Sequence, residues 1–484
     1  MKQPNILIFM TDHQRADTAL PEHPALTPRL TQLAAEGLSF TQTYCPSPHC
    51  CPSRATFFSG LYPSGHGVWN NITNQQALSR GLNDGVRLFS EDLADAGYDM
   101  HYAGKWHVSM NERPADRGWK EHGVSGVAGT RHGPDWEQYR RAAATEAEPQ
   151  ERRFGEIARH GYGPFRLYGS TGGEGNAHDE RAIEGALAAL DEVESGDAPW
   201  CLYVGLIAPH DPYAVPQRYL DRYDLDDVPL PASYADSMLD KPRIYKRMRD
   251  SRFGQLSPDD TRDAIRHFWA FCSYIDDLFG QVLDRVDALG QMDDTLVIFC
   301  SDHGDYCGEH GLFAKGIPSF NGAYHVPLVM RHPQLTPAPG ARVDAFASLA
   351  DIAPTLLDVA GVESGRHFAG ASLLPLMQGQ TPDNWRDAVY TQCNGVELYY
   401  SQRSVKTTDY KYVFNGFDDD ELYDLRNDPH EMRNLARDPR YLPMIREMCR
   451  RMWRFAYEQA DEHLLNSYIT VALAPFGPAE AFRD

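Results

Sequence analysis

Three short apolar runs in this chain each end in a group of acidic and imidazole side chains. The runs extend from Asn5 to Met10, from Trp200 to Ala208 and from Thr295 to Cys300. An uninterrupted apolar run of this length indicates a strand that is buried on both faces of a sheet. Helical periodicity lies between the runs, most clearly from Pro258 to Leu289. Strands that alternate with helices predict an α/β domain with a mostly parallel central sheet flanked by helices.

The C-terminal part of the chain has a different pattern. The segment VELYYSQRSVKTTDYKYVF is rich in tyrosine and β-branched residues, which predicts a small antiparallel sheet, and a helix is expected from Leu442 to Ala460. We therefore predict an N-terminal α/β domain over residues 1–385 and a smaller α+β domain over residues 386–484. The glycine- and charge-rich region from Arg113 to Glu180 has weak periodicity and is predicted to form surface loops.

The charge and the cysteine content narrow the class of function. A formal net charge of −22 disfavours a nucleic-acid binder or a binder of anionic membranes, because both need basic surfaces. The nine cysteines are scattered without the spacing of a disulfide framework. The chain shows no signal-peptide pattern at its start and no apolar run of roughly 18 residues that could span a membrane. We expect a cytoplasmic protein with reduced thiols.

The residues that follow the three apolar runs are candidate ligands and catalysts. Asp12 and His13 follow the first run, His210 follows the second, and Asp302 and His303 follow the third. Ligands of open parallel sheets bind beyond the carboxyl ends of the strands. Three strand ends that deliver carboxylates and imidazoles together predict a site for a metal or a phosphate-like anion.

A further candidate is the stretch CCPSRATFFSG, from Cys50 to Gly60. Pro52 suits the first turn of a helix, so Cys50 is expected at or just before its N-terminus. The free N–H groups and partial positive charge at that end lower the pKa of a thiol and favour a tetrahedral anion. Arg54 adds the donors of its guanidinium. The alternative is an inert, buried pair of cysteines at the start of a helix.

The same stretch closely resembles the sulfatase signature, C-x-P-S-R followed by a short apolar run and Ser or Thr before Gly. In that register Cys50 is the modified residue and Cys51 fills the variable position. Other motifs occur in the order typical of the family. They are Asp12, Gly104-Lys105-Trp106-His107, Pro209-His210, Asp302-His303-Gly304, Lys315 within Gly311–Gly316, and Leu422-Tyr423-Asp424-Leu425. Over nearly its whole length the chain is identified as a member of the type I, formylglycine-dependent sulfatases of the alkaline phosphatase superfamily.

The resemblance implies a sulfuric ester hydrolase that cleaves a small aryl, carbohydrate or choline-type sulfate monoester to an alcohol and sulfate. The family converts the motif cysteine to formylglycine, whose hydrate is the nucleophile beside a divalent metal. The implied partners are therefore a small anionic sulfate ester and a formylglycine-generating enzyme that matures Cys50.

The resemblance also implies the site residues. One divalent ion is expected on Asp12, Cys50, Asp302 and His303, and oxygen ligands together with the resemblance favour Ca²⁺ over Mg²⁺ or Mn²⁺. His210 with Lys315 is the expected general acid, and His107 the expected base for breakdown of the hydrate. The implied catalytic residues are Cys50, Arg54, Lys105, His107, His210 and Lys315. The implied substrate contacts are Asn71, Lys105, His210 and Lys315.

Two departures from the family pattern leave alternatives open. His13 stands where a second acidic ligand is common, so it is either a weak ligand or a hydrogen-bonded neighbour of the site. Asn71 lies 21 residues after Cys50, where phosphonate monoester hydrolases carry a substrate-contacting Asn, or else it is a plain loop residue. The alternative function is therefore a phosphonate monoester or phosphodiester hydrolase, although the G-K-W-H block favours a sulfate ester. A non-catalytic anion-binding protein is disfavoured because none of the motif residues is lost.

Overall fold

The protein is described by a computed structural model over residues 3–126, 152–159, 162–194, 196, 198–396, 398–466 and 468–483. An eight-stranded and a four-stranded sheet, with three two-stranded ribbons, organise these residues. The strands are β1 (Asn5–Thr11), β2 (Leu38–Phe40), β3 (Thr43–Tyr44), β4 (Asp99–Lys105), β5 (Lys120–Ser125), β6 (Glu156–Arg159), β7 (Tyr162–Arg166), β8 (Tyr168–Ser170), β9 (Trp200–Gly205), β10 (Tyr213–Val215), β11 (Thr295–Ser301), β12 (Leu328–Arg331), β13 (Ala341–Val343), β14 (Ala347–Ser348), β15 (Ala388–Cys393), β16 (Gln402–Thr407), β17 (Tyr410–Asn415) and β18 (Glu421–Asp424).

The helices of the described residues lie mostly between these strands. They are α1 (Pro28–Glu36), α2 (Cys50–Ser59), α3 (Pro63–His66), α4 (Phe89–Asp95), α5 (Ala177–Val193), α6 (Gln217–Leu220), α7 (Arg243–Arg252), α8 (Pro258–Ala288), α9 (Asn321–Tyr324), α10 (Ile352–Ala360), α11 (Leu374–Met377), α12 (Leu442–Glu458), α13 (Glu462–Leu465) and α14 (Tyr468–Leu473). No helix in this part of the chain is long and apolar enough to cross a bilayer.

The eight-stranded sheet has the strand order β13-β2-β12-β11-β1-β9-β4-β5. Its central strand β1 runs parallel to β11 on one side and to β9 on the other. β4 and β5 continue the parallel arrangement, whereas β12 is antiparallel to both of its neighbours. The apolar residues of β1 from Ile6 to Met10 are fully buried, as expected for a strand covered on both faces. The predicted mostly parallel sheet is therefore confirmed.

Helices cover this sheet. The start of α8 shows how local sequence determines where a helix begins. α8 begins with a capping box, because the Ser257 side chain accepts from the N–H of Asp260 and the Asp260 carboxylate accepts from the N–H of Ser257. Pro258 then occupies the first turn, where its missing N–H costs nothing. α5 packs across β4 and β5 at the other end of the sheet.

The C-terminal sheet is antiparallel throughout, in the order β15-β16-β17-β18, and α12 packs against it. This confirms the predicted antiparallel sheet. Contacts tie it to the rest of the molecule, since the Tyr245 hydroxyl donates to Glu421 at 2.6 Å and the Gln392 N–H donates to the Pro46 carbonyl at 2.8 Å. The boundary between residues 385 and 386 stays a prediction.

The prediction of surface loops from Arg113 to Glu180 is wrong in part. Four strands, β5 to β8, lie in this region, while residues 127–151 are outside the described residues. β5 is the edge strand of the main sheet and is half-exposed, and the other three strands have only three to five residues. Strands this short show too few alternations for a periodicity to be recognised.

Candidate active site

The ends of three parallel strands meet at one edge of the main sheet. The N–H of Asp302, after β11, donates to the carbonyl of Thr11 at the end of β1, at 3.2 Å. The N–H of Asp12 donates at 3.2 Å to the carbonyl of Ala208, beyond β9. Asp12, Asp302 and His303 are fully buried there. The expected convergence of carboxylates and imidazole beyond the strands is thus observed.

Helix α2 brings Cys50 into this group, and the helix begins at that residue. The Cys50 sulfur lies 3.3 Å from Nε2 of His303 and 3.6 Å from Oδ1 of Asp12. The Ser53 hydroxyl donates to the carbonyl of Asp302 and so fixes the first turn of α2 against the end of β11. We call Asp12, Cys50, Asp302 and His303 the floor of the site.

The floor fits a divalent cation. Its four ligand atoms lie within 4.8 Å of one another, and two of the side chains are carboxylates without exposure to water. Burial and the charge of Asp12 raise the pKa of Asp302, and a cation between the two carboxylates would offset their repulsion. The Nδ1–H of His303 donates to the Gly304 carbonyl at 2.9 Å, which leaves the Nε2 lone pair facing the floor. The two carboxylates suit Ca²⁺, Mg²⁺ or Mn²⁺, and the imidazole is most compatible with Mn²⁺ among these.

The two adjacent cysteines have opposite electrostatic environments. Burial alone would raise the pKa of Cys50, but the charges of Lys105 and Lys315 outweigh it and hold that pKa well below its ordinary value. Burial and the neighbouring Cys50 instead raise the pKa of Cys51. The Cys51 N–H donates to Oδ1 of Asn71 at 3.2 Å. Only Cys50 therefore occupies a position that stabilises an anion.

Lys105 reaches the floor because of an irregularity in β4. The pairing of β4 with β5 shifts between Ala103 and Gly104, and Gly104 has a φ of 90°. A Cβ at Gly104 would overlap the carbonyl oxygen of Gly205, so the close approach of the two strands requires glycine. Beyond the bulge, the Lys105 ammonium forms an ion pair with Asp12.

Arg54 lies beneath the floor and is fully buried. Its Nε donates to Oδ2 of Asp302 at 2.8 Å, and its Nη1 donates to the Lys105 carbonyl and the Tyr203 hydroxyl at 3.1 and 3.0 Å. Its Nη2 lacks a hydrogen-bond partner among the described residues and lies 3.8 Å from Oδ2 of Asp12. The guanidinium thus connects both carboxylates with the end of β4.

Four of the predicted residues surround the floor and are partly exposed: Asn71, His107, His210 and Lys315. We call these four residues the rim of the site. The Lys315 ammonium lies 3.2 Å from the Cys50 sulfur and 3.4 Å from Nε2 of His210. Lys315 and His210 therefore lie between the Cys50 side chain and solvent.

The two rim histidines have shifted pKa values of opposite direction. Burial and Lys315 lower the pKa of His210, but the Asp211 carboxylate, 3.3 Å from its Nδ1, and other negative neighbours outweigh them and raise it. Burial and the Lys105 charge lower the pKa of His107 to about 4. His107 has a φ of 59°, and its Nε2 lies 3.2 Å from the Thr73 hydroxyl. At neutral pH His210 is thus the better proton donor and His107 the better acceptor.

His13 lies between the floor and the rim in a left-handed backbone conformation, with a φ of 72°. Its Nδ1 is 3.0 Å from Oδ2 of Asp305, and its Nε2 contacts Lys315. The same Nε2 is 3.8 Å from Oδ1 of Asp12. Burial, His210 and Lys315 hold the pKa of His13 well below its ordinary value. His13 is therefore a neutral imidazole whose two nitrogens both have neighbours in the site.

Sequence reasoning assigned no role to three carboxylates that support these residues, of which Asp179 and Asp305 are buried and Asp211 is partly exposed. Asp305 also accepts from the Tyr213 hydroxyl at 2.8 Å, and Asp211 lies beside His210. Asp179, on α5, accepts from the N–H groups of Ile207 and Ala208 and so holds the segment that precedes His210. Asp211 and Asp305 could have been found by their nearness to the strand-end motifs. Asp179 had no local signal, because tertiary packing alone brings α5 to this segment.

The chain was compared with known families and proteins. A family model described as Sulfatase matches residues 4–362, and one described as N-sulphoglucosamine sulphohydrolase, C-terminal, matches residues 308–458. The uncharacterized sulfatase YidJ of Escherichia coli is 29% identical over 466 residues, which cover 93% of this chain and 86% of that protein. A choline-sulfatase of Rhizobium meliloti is 29% identical over 472 residues, which cover 90% of this chain and 83% of that protein.

A solved structure shows the same fold. The phosphonate monoester hydrolase of Agrobacterium radiobacter superposes with a TM-score of 0.76 at 24% identity, covering 94% of this chain and 96% of that one. The two chains therefore share a fold over most of their lengths.

Proposed function

Since this chain belongs to the sulfatase family and is a sulfatase, we propose that it hydrolyses a small sulfate monoester to an alcohol and sulfate, with Cys50 converted to formylglycine. The observation that carries the proposal is the position of the Cys50 sulfur, 3.3 Å from Nε2 of His303 and 3.2 Å from the Lys315 ammonium. A nucleophile is activated at such a point between a metal ligand and a fixed cation.

We further propose that the floor holds one divalent ion, on Asp12, Asp302, His303 and the modified residue 50. The oxygen-rich ligand set favours Ca²⁺, with Mg²⁺ and Mn²⁺ as alternatives. When bound, the ion supplies positive charge that lowers the pKa of a neighbouring hydroxyl and polarises a sulfate oxygen. His13 is then a neighbour of the ion, because Asp305 holds its Nδ1 and Lys315 contacts its Nε2.

Protein side chains neutralise charge, position the ligands and transfer protons in the proposed reaction. Lys105 and Lys315 neutralise the sulfate and the charge that develops on it, and Arg54 positions Asp302 and the end of β4. The raised pKa of His210 favours the protonated imidazole, which is the form that donates a proton to the departing oxygen. His107, neutral because its pKa is about 4, would accept the proton of the second hydroxyl on residue 50, and the loss of that proton expels sulfate and re-forms the aldehyde.

The organic part of the substrate is proposed to be an aryl, carbohydrate or choline-type group. A second candidate function is hydrolysis of a phosphonate monoester or phosphodiester, which the fold shared with a phosphonate monoester hydrolase favours. Asn71 would contact the substrate in either case. Its Oδ1 already accepts from the N–H of Cys51, so contact with substrate would be through its amide nitrogen.

Maturation needs a formylglycine-generating enzyme, and we propose that both proteins work in the cytoplasm. The cysteine content supports a reducing compartment, because all nine cysteines are free thiols.

The test is a turnover screen of aryl, sugar and choline sulfates on enzyme whose Cys50 peptide carries the aldehyde by mass analysis. The matched phosphate and phosphonate monoesters are measured on the same preparation, with Cys50→Ala as the control for contaminating activity. We expect kcat/KM to be highest for a sulfate ester. A higher value for a phosphonate or phosphodiester would reject the sulfate assignment in favour of the second candidate.

A further inference from the structure

A second group of metal-binding side chains lies away from the active site, at the edge of the main sheet. It consists of His101 on β4, His122 on β5 and Glu192 near the end of α5. Their ligand atoms lie within 4.8 Å of one another. None of the three contributes to the floor or the rim, so the proposed hydrolysis leaves the group without a role.

The fold brings the three residues together by register and by helix packing. In the parallel pairing of β4 and β5, His101 is opposite Lys120 and Ala103 is opposite His122. Residues two positions apart on a strand share a face, so both imidazoles are on the same face of the sheet. α5 covers that face so closely that a Cβ at Gly185 would overlap the carbonyl oxygen of His122. Glu192 lies two turns further along the same helix.

The two imidazoles approach each other through ring nitrogens that can act as ligands. Nδ1 of His101 and Nε2 of His122 are 3.0 Å apart. Two nitrogens bound at about 2.0–2.1 Å to one tetrahedral Zn²⁺ are about 3.3 Å apart, so a small separation of the rings would admit the ion. The alternative is a simple hydrogen bond between two neutral imidazoles.

An acidic residue on the far side of His101 favours metal binding by the two imidazoles over a simple hydrogen bond between them. Nε2 of His101 lies 3.2 Å from Oδ2 of Asp99, whose other oxygen is paired with the Lys120 ammonium at 2.7 Å. Nε2 forms no hydrogen bond among the described residues, but the negative charge of Asp99 at this distance favours the proton on Nε2, so that the lone pair of Nδ1 faces His122. Metal-binding histidines commonly have such a carboxylate behind them.

We propose that His101, His122 and Glu192 bind one Zn²⁺ ion, with water as the fourth ligand. Two imidazoles and one carboxylate suit Zn²⁺ better than Ca²⁺ or Mg²⁺, which prefer oxygen throughout. His101 is buried and Glu192 is exposed, so the ion enters from solvent and is held against the sheet. It would join the edge strand β5 and helix α5 to β4, the strand that ends in Lys105.

The test is a Zn²⁺ titration by calorimetry of the whole protein in excess Ca²⁺, which occupies the oxygen-rich floor. A parallel titration with Co²⁺ reports tetrahedral nitrogen coordination by its visible absorption. We expect one tight Zn²⁺ site, which His122→Ala and Glu192→Gln remove or weaken strongly. Asp99→Asn should weaken binding by about 10–100-fold, as is typical for the loss of a partner behind a metal ligand. His178→Asn, an exposed histidine on the same helix, is the matched control and should bind as the wild type does.

Two further measurements separate this site from the floor and from misfolding. Asp302→Asn should lower hydrolysis strongly but retain the Zn²⁺ site and the Co²⁺ spectrum. In EDTA, the Tm of His122→Ala should be within a few degrees of that of wild type. In a separate experiment without EDTA, added Zn²⁺ should raise the Tm of wild type but not that of His122→Ala. Equal Zn²⁺ affinity in wild type and His122→Ala, loss of binding in Asp302→Asn, or no tight Zn²⁺ site would each overturn the proposal. The last result would leave the imidazole contact as a hydrogen bond.

Discussion

The floor and the rim of the active site are built in different ways. The floor residues follow buried strands or begin a helix, and none of them is more than 1% exposed. The rim residues lie on connecting segments and are partly exposed, with His210 showing 29% of its side chain. Regular elements fix the floor, whereas loops can vary without disturbing the sheet. The contrast predicts that the floor holds the nucleophile and the ion, whereas the rim supplies the proton transfers and contacts the substrate.

The largest effect is expected at Cys50, on the floor. Cys50→Ala should reduce kcat on an aryl sulfate to background, a loss on the order of 10⁶-fold that is typical of removing a nucleophile. Cys51→Ala should keep most of the activity, because burial raises the pKa of Cys51 and its side chain is outside the ligand set. Mass analysis should find the aldehyde at residue 50. An essential Cys51 would show that the motif has been assigned in the wrong register.

The next largest effect concerns the cation of the floor. Chelation, or Asp302→Asn, should lower kcat on the order of 10³–10⁵-fold, since a Lewis-acid metal supplies several kcal/mol of transition-state stabilisation. The Tm should change little, because the large apolar core does not depend on one ion. Added Ca²⁺ should restore activity after chelation but not in the variant.

His13 provides a comparison at the boundary between floor and rim. His13→Ala should cost less kcat than Asp12→Ala, because a hard cation prefers a carboxylate to an imidazole. The Asp305 contact at Nδ1 indicates a positioning role for His13, with a loss of about 10–100-fold. Equal losses at residues 12 and 13, each accompanied by a weaker Ca²⁺ affinity, would show instead that His13 binds the ion.

On the rim, the effect should depend on the leaving group. His210→Ala should lower the rate on an alkyl or sugar sulfate by about 10²–10⁴-fold, because a poor leaving alcohol needs a proton in the transition state. The loss on 4-nitrophenyl sulfate should be much smaller, provided that S–O cleavage limits both rates. Lys315→Ala, the matched rim variant, should impair both substrates, because its charge also holds the sulfate. A uniform loss in His210→Ala would reassign His210 to sulfate binding.

The contrast between regular elements and connecting segments also explains which parts of the site the sequence could predict. The apolar runs identified β1, β9 and β11, and their ends located Asp12, Asp302 and His303, because a buried strand leaves a local pattern. The expected helix start and the second strand end also made Cys50 and His210 candidates, whereas Lys105 and Lys315 were found by resemblance to motifs.

The remaining features of the site depend on contacts between distant parts of the chain. The bulge at Gly104 requires the approach of Gly205, and the support from Asp179 requires α5 to pack beside residues 207 and 208. The strands β5, β6, β7 and β8 were not predicted, because short strands show too little alternation of apolar and polar residues. None of these features could be derived from local sequence.

The smallest effect is expected at Asp211, which acts on the rim only through its charge. That carboxylate is 3.3 Å from Nδ1 of His210 and raises the pKa of His210. The acid form of His210 is present below this pKa and is lost as the pH rises through it. Asp211→Asn removes the negative charge, lowers the pKa of His210, and so should move the alkaline limb of kcat/KM for an alkyl sulfate to lower pH. At a pH on that limb, kcat/KM of Asp211→Asn for the alkyl sulfate should fall less than about tenfold, because His210 is still present as the acid. The profile on 4-nitrophenyl sulfate should shift little, since that leaving group needs no proton. An unchanged alkaline limb on the alkyl sulfate would mean that a group other than His210 carries the proton.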